Sequence, residues 1–123
     1  MPIINSAVIT IRDLRLRTFI GIKEEEINNK QDVVLQIQLG YNCEKASLSD
    51  NVEDALNYRT ITKKVIHYVE THKFSLLERM VREVLEIIAE PEAVEWAEVE
   101  IAKPFALRYA DSVSLRLRYE RNV

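Results

Sequence analysis

Lys103, Glu26, Tyr58 and Glu78 are the side chains of this 123-residue chain whose types suit proton transfer or the holding of a polar ring. Lys103 follows the alternation Ala97, Val99, Ile101 on the same parity, so an ideal strand points it toward the buried side. Pro104 comes next and ends the ladder by removing a backbone donor. Desolvation at such a strand end lowers a lysine pKa toward useful proton chemistry; the alternative is a lysine that snorkels into water. Glu26 closes the run Glu24, Glu25, Glu26, which also reads as a solvated loop. Tyr58 stands just before a helix, where an aromatic either packs or stacks on a ligand. Glu78 lies three residues after Ser75, a capping-box spacing, and a carboxylate there also makes a rigid acceptor pair for an amidine-like edge.

Composition narrows the chemistry. The chain has two glycines, Gly21 and Gly40, too few and too far apart for a Walker loop or a dinucleotide-binding fingerprint. His67 and His72 are five apart on an expected helix, a poor spacing for one metal, so no metal and no cofactor is expected. A net charge of -3 offers no basic field for nucleic acid or anionic membrane. No run of 18 apolar residues or leader pattern is present, and the lone Cys43 fits a reducing compartment. A cytoplasmic address follows. The length suits one domain spanning residues 1–123.

These side chains must be positioned by the elements around them. Ala7, Ile9 and Ile11 alternate, then Leu14, Leu16 and Ile20 carry the pattern in the other phase, which predicts a strand with a bulge near Asp13. Lys23 to Asp32 reads as a loop, and Val33, Leu35, Ile37, Leu39 and Tyr41 as a second strand. Ile61, Val65, Tyr68 and Val69 predict a helix from about Arg59 to His72, with Lys73 and Phe74 a short connection. Leu77, Val81, Val84 and Ile88 predict a second helix, opened by the Ser75–Glu78 box and stopped by Pro91. Two strands end the chain, one reaching Lys103 and one carrying Val113, Leu115, Leu117 and Tyr119. The order ββααββ predicts an α+β domain: a four-stranded antiparallel sheet with two helices on one face. Its other face would carry Gln36, Gln38, Glu98, Glu100, Ser114, Arg116 and Arg118, and its edges would be open. Closure of several copies into a barrel with a wet interior would satisfy both.

In that order, several motifs resemble the dihydroneopterin aldolase family over nearly the whole chain. They are the run Leu14 to Gly21, Glu26 followed by Gln31, Asp54 to Tyr58, the Leu76-Leu77-Glu78 triplet, Lys103-Pro104 and the run Ala110 to Val113. The resemblance implies the T-fold, with four subunits closing a barrel, two rings stacking into an octamer, and sites lying between subunits. It implies that Glu78 binds the amino-pyrimidinone edge of a pterin, helped by the Leu77 backbone beside Leu76. Tyr58 from a neighbour would stack on the ring, with Leu56 and Asn57 alongside. Lys103 and Glu26 would frame the reacting side chain.

The implied chemistry is retro-aldol cleavage between the first two side-chain carbons, with the ring imine of the dihydropterin taking the electrons. Lys103 then moves protons, with Tyr58 and Glu26 helping, and forms no Schiff base. If the aldehyde turns and re-adds, the 2′ carbon of 7,8-dihydroneopterin 3′-triphosphate is inverted from erythro to threo. If it leaves, glycolaldehyde and the hydroxymethyl pterin of folate synthesis result. Phe19-Ile20-Gly21 stands where aldolases commonly carry Tyr-His-Gly, and Lys23 where a neutral residue is usual. Lys23, Arg108 and Arg17 would then suit a triphosphate, the other reading being plain surface charge. Inversion is therefore the expected outcome, aldolase cleavage the alternative, and a non-catalytic pterin-binding oligomer the second alternative.

Overall fold

The computed structural model describes residues 2–121. The chain runs β1 (Ser6–Ile20), α1 (Glu24–Asn28), β2 (Gln31–Asn42), α2 (Glu44–Ser49), a 3-10 turn (Val52–Asp54) and α3 (Tyr58–Thr71). It continues through β3 (Lys73–Phe74), α4 (Leu77–Ala89), β4 (Trp96–Pro104) and β5 (Ser112–Glu120). The sheet order is β3-β1-β2-β4-β5, and the four long strands are antiparallel neighbours. Helices α3 and α4 cover one face.

The phase change in β1 is a bulge. Ile9, Ile11, Leu14 and Leu16 face Leu39, Ile37, Leu35 and Val33 in turn, so one extra residue is absorbed between Ile11 and Leu14. Asp13 takes the strain at φ 53°, its N–H donating to Gln36 Oε1 (2.9 Å) while Gln36 Nε2 donates to its carboxylate (2.6 Å). The bulge keeps both halves of the strand facing the helices. Under them lie Leu35, Ile37, Leu39, Val99 and Ile101, against Ile61, Val65 and Val69 of α3 and Met80, Val81, Val84 and Ile88 of α4. Each such side chain contributes about 1.5–3 kcal/mol on burial.

Three local expectations change. The stretch after Gly21 contains a short helix, α1, instead of being all loop. Lys73 and Phe74 form a two-residue strand parallel to the end of β1, because the extended chain leaving α3 lies beside Phe19 and Ile20. Helix α4 starts at Leu77 with Leu76 as its N-cap residue, so Ser75 lies one residue too early to cap it and no side chain does. Glu78 is thereby released from the capping-box role.

Thr18 ties these parts together. Fully buried, its hydroxyl donates to the Val69 carbonyl (2.6 Å) and lies 3.1 Å from that of His72, at the C-terminal end of α3. Thr18→Val keeps the shape and leaves buried acceptors unpaired, an expected loss of about 1–3 kcal/mol. Urea unfolding measures it, and an unchanged midpoint would refute this anchoring role.

The second sheet face is polar. Arg116 and Arg118 each approach Glu98 at 3.8 Å, Ser114 donates to Glu100 (2.6 Å), and Gln36 and Gln38 lie opposite Glu100 and Glu98. Among the described residues, β5 pairs only with β4, and β1 has no outer partner before Phe19. The open edges and wet face expected of the strand pattern are both present.

Candidate active site

Lys103 lies where β4 outruns its neighbour. Pairing with β2 stops at Ala102, and Lys103 and Pro104 are paired only with Val113 and Ser112 of β5. The freed side chain reaches Glu26 of α1, with Nζ 2.7 Å from Oε2 and the two side chains 12% and 19% exposed. Of the two readings of the strand-end position, desolvated or snorkelling into water, Lys103 is largely buried, and it is paired with a carboxylate. Seventy-seven positions separate the partners, so no local pattern announces the contact.

Glu26 is held from both sides. Its Oε1 accepts the Lys23 backbone N–H at 3.3 Å, across the first turn of α1. The Lys103 hydrogen bond lowers its pKa below the ordinary 4.5, outweighing the opposing effect of burial, and the Lys23 N–H adds to the lowering. Gly21 makes room for it. At φ +132°, a Cβ on Gly21 would lie 2.3 Å from the Glu26 carboxylate carbon. Gln31 Nε2 donates to the Ile20 carbonyl and fastens the start of β2 to the strand end before Gly21. The Gly21, Glu26, Gln31 spacing therefore has a physical basis: a close approach, the group that makes it, and a tether.

The sign of the pH dependence follows. A depressed carboxylate pKa stabilises the fold fully above the unfolded value, and the gain is lost as pH falls through the folded value. The expected result is a thermal midpoint difference between wild type and Glu26→Gln that is constant above about pH 5.5 and shrinks below about 4.5. A difference independent of pH down to about 3 would refute the ionised pair.

Beside the pair is an open recess of about 250 Å³, lined by Phe19, Gly21, Glu26, Ile27, Lys73, Phe74 and Ser75. The Gly21 N–H donates to the Phe74 carbonyl (3.0 Å), which joins this wall to the start of α4. Glu78 is exposed in the first turn of that helix, behind Leu76 and Leu77, and the turn carries no side-chain cap. The uncapped helix start leaves its first N–H groups without intrahelical partners, with the exposed Glu78 carboxylate in the same turn.

The structure does not bring every expected residue to this place. Leu56, Asn57 and Tyr58 line a separate recess with Val52, Ala55 and Arg59. They stand at the N-terminal end of α3, whose 14 residues put them about 20 Å from the end that leads into β3. Asn57 caps that helix, its Oδ1 accepting the Thr60 N–H (3.1 Å), and Tyr58 is 46% exposed. Arg17 is engaged by Asp32 (3.7 Å) and donates to the Lys30 carbonyl (3.1 Å). Arg108 lies in the β4–β5 loop, its guanidinium 5.2 Å from the ring centre of Tyr109. Within one chain the two groups of expected residues therefore line separate recesses. Among the described residues no group of three or more His, Cys, Asp or Glu could hold a metal ion. None of their helices is long and apolar enough to cross a membrane.

The curled, mainly antiparallel sheet, the helices on one face and the acid–amine pair at a strand end define an enzyme domain of the T-fold class. Residues 9–118 match the family model described as dihydroneopterin aldolase. The chain belongs to the dihydroneopterin aldolase family. It is 56% identical over 116 residues to dihydroneopterin triphosphate 2′-epimerase of Escherichia coli strain K12, covering 94% of this chain and 97% of that one. To dihydroneopterin aldolase of the same strain it is 30% identical over 116 residues, covering 94% and 95%. The crystal structure of E. coli dihydroneopterin aldolase in complex with neopterin superimposes with a TM-score of 0.87 at 30% identity, covering 92% of this chain and 98% of that one.

Proposed function

We propose that this chain, a single domain over residues 1–123, epimerises the 2′ carbon of 7,8-dihydroneopterin 3′-triphosphate by reversible retro-aldol chemistry. The observation that carries the reading is the Lys103–Glu26 pair at 2.7 Å, held against Gly21 beside an open recess. The identities favour inversion over cleavage, 56% to an epimerase against 30% to an aldolase of the same organism.

The 2′ carbon bears no acidic hydrogen, so inversion requires breaking its bond to the 1′ carbon. A base removes the 2′ hydroxyl proton, the carbon–carbon electrons pass to the ring imine, and an aldehyde fragment forms. Re-addition of the 1′ carbon to the opposite aldehyde face returns the proton and gives the epimer. Protonation of the 1′ carbon instead gives the aldolase products. Lys103 carries the proton through ordered water, and Glu26 fixes its position. Glu78 and the Leu77 N–H hold the pterin edge, with Leu76 behind them.

Tyr58, with Leu56 and Asn57, completes the site from a neighbouring subunit and assists proton transfer. The separation of about 20 Å along α3 supports this, as do the open sheet edges. Four copies closing a barrel and two rings forming an octamer is the assembly that fits, in the cytoplasm. Lys23, Arg108 and Arg17 are among the basic residues available to the phosphates.

One incubation tests the function. The protein is supplied with dihydroneopterin triphosphate or dihydroneopterin, chiral chromatography follows the threo epimer, and a carbonyl assay follows glycolaldehyde. Threo product from the triphosphate with little released aldehyde is expected. Predominant aldehyde release would make the chain an aldolase, and no turnover of either would leave a pterin-binding protein. Light scattering at micromolar concentration is expected to show an oligomer; a monomer would refute the shared site.

A further inference from the structure

Phe19 is flanked by two ammonium groups. Lys73 of β3, in register with Phe19, places Nζ 4.8 Å from the ring centre, and Lys30, just before β2, places its own at 6.0 Å. Neither lies within salt-bridge distance of a carboxylate among the described residues. Arg17, two residues back on β1, donates to the Lys30 carbonyl at 3.1 Å and so holds that turn in place. Two ammonium groups therefore flank one ring, and Arg17, ion-paired with Asp32, stands behind Lys30. An aromatic face attracts a cation, but two ammonium groups on one ring repel each other unless an anion lies between them.

Phe19 and Lys73 also line the recess that contains Glu26, so this cation cluster opens onto the place where the reacting carbons would lie. We infer that Lys73 and Lys30, arrayed about Phe19 and backed by Arg17, receive the polyphosphate chain of the substrate. The inference deepens the proposed function and rests on it for the identity of the substrate. Lysines act on phosphate as mobile point charges, which suits a flexible chain better than a single bidentate fork. Unphosphorylated dihydroneopterin would gain nothing from them. The cluster is thus a specificity device, acting on KM.

The test compares wild type with Lys30→Met/Lys73→Met, using Lys63→Met on α3 as a control of equal charge change per site. The double variant is expected to raise KM for dihydroneopterin triphosphate tenfold or more, with kcat and the turnover of dihydroneopterin little changed. Lys73→Arg restores most of the loss and shows that the fold survives substitution there. Inorganic triphosphate, followed by calorimetry, is expected to bind wild type and Lys63→Met and to lose tenfold or more in affinity for the double variant. Equal KM in wild type and double variant, or equal loss in Lys63→Met, would overturn the inference. If wild type converts neither pterin, the proposed function falls and calorimetry alone decides the anion site: affinity lost only in the double variant upholds it, and unchanged affinity overturns it.

Discussion

Lys103→Ala is expected to lower turnover by about 10²–10⁴-fold, the usual worth of a positioned general acid–base, while pterin binding persists. Glu78→Ala is expected to do the reverse. Removing a charge-assisted acceptor costs about 1.5–3 kcal/mol, or about 10–150-fold in pterin affinity, for each bond lost. The contrast separates an enzyme from a binding ring, because a pure binder has no use for an amine at Lys103. Fluorescence titration with neopterin reads binding, and the epimer assay reads turnover. Lys103→Ala also strands the Glu26 carboxylate, only 19% exposed, so its melting temperature should fall. Lys103→Ala/Glu26→Gln should recover stability without recovering turnover. Wild-type turnover in Lys103→Ala would dismiss the mechanism.

Gly21→Ala is the second large effect. The glycine holds φ +132°, a region that costs a residue with a Cβ about 1–3 kcal/mol. The new methyl would also lie 2.3 Å from Oε1 and 2.6 Å from Oε2 of Glu26. A long side chain ordinarily swings away from such a clash, but here Lys103 and the Lys23 N–H hold both oxygens. Either the backbone strains or the pair separates, and a displacement near 1 Å at a reacting centre costs about 10²-fold in rate. Lower turnover by about that factor and a reduced thermal midpoint are expected. Full activity would show that Glu26 need not sit where it does.

Both predictions turn on the same small region, and they differ in what announced it. Lys103 was legible because strand parity is local: Ala97, Val99 and Ile101 are buried, and Lys103 continues their side of β4. The bulge at Asp13 was legible for the same reason, since one extra residue shifts the alternation in plain view. The start of α4 was misplaced, because a capping spacing shows only that a cap is feasible. The extended backbone at Leu76 (φ −124°, ψ 141°) decided which residue ended outside the helix. Strand β3 was invisible, since two residues carry no period and their pairing partner lies in β1.

By itself, then, the sequence determined the strand and helix pattern, the two-faced sheet, the kind of chemistry its side chains allow and, through ordered motifs, the family. These are properties of spacing along the chain, set by periods of about two and 3.6 residues and by glycine count. Only the tertiary structure decided that Lys103 is charge-paired, that Gly21 exists to admit Glu26, that Tyr58 stands a helix length away, and that Lys30 and Lys73 share one ring. Each of these is a contact or a distance in space, between distant segments for Lys103 and Lys73 and across one tight turn for Gly21 and Glu26. No local periodicity encodes such a meeting, because it depends on how whole elements pack.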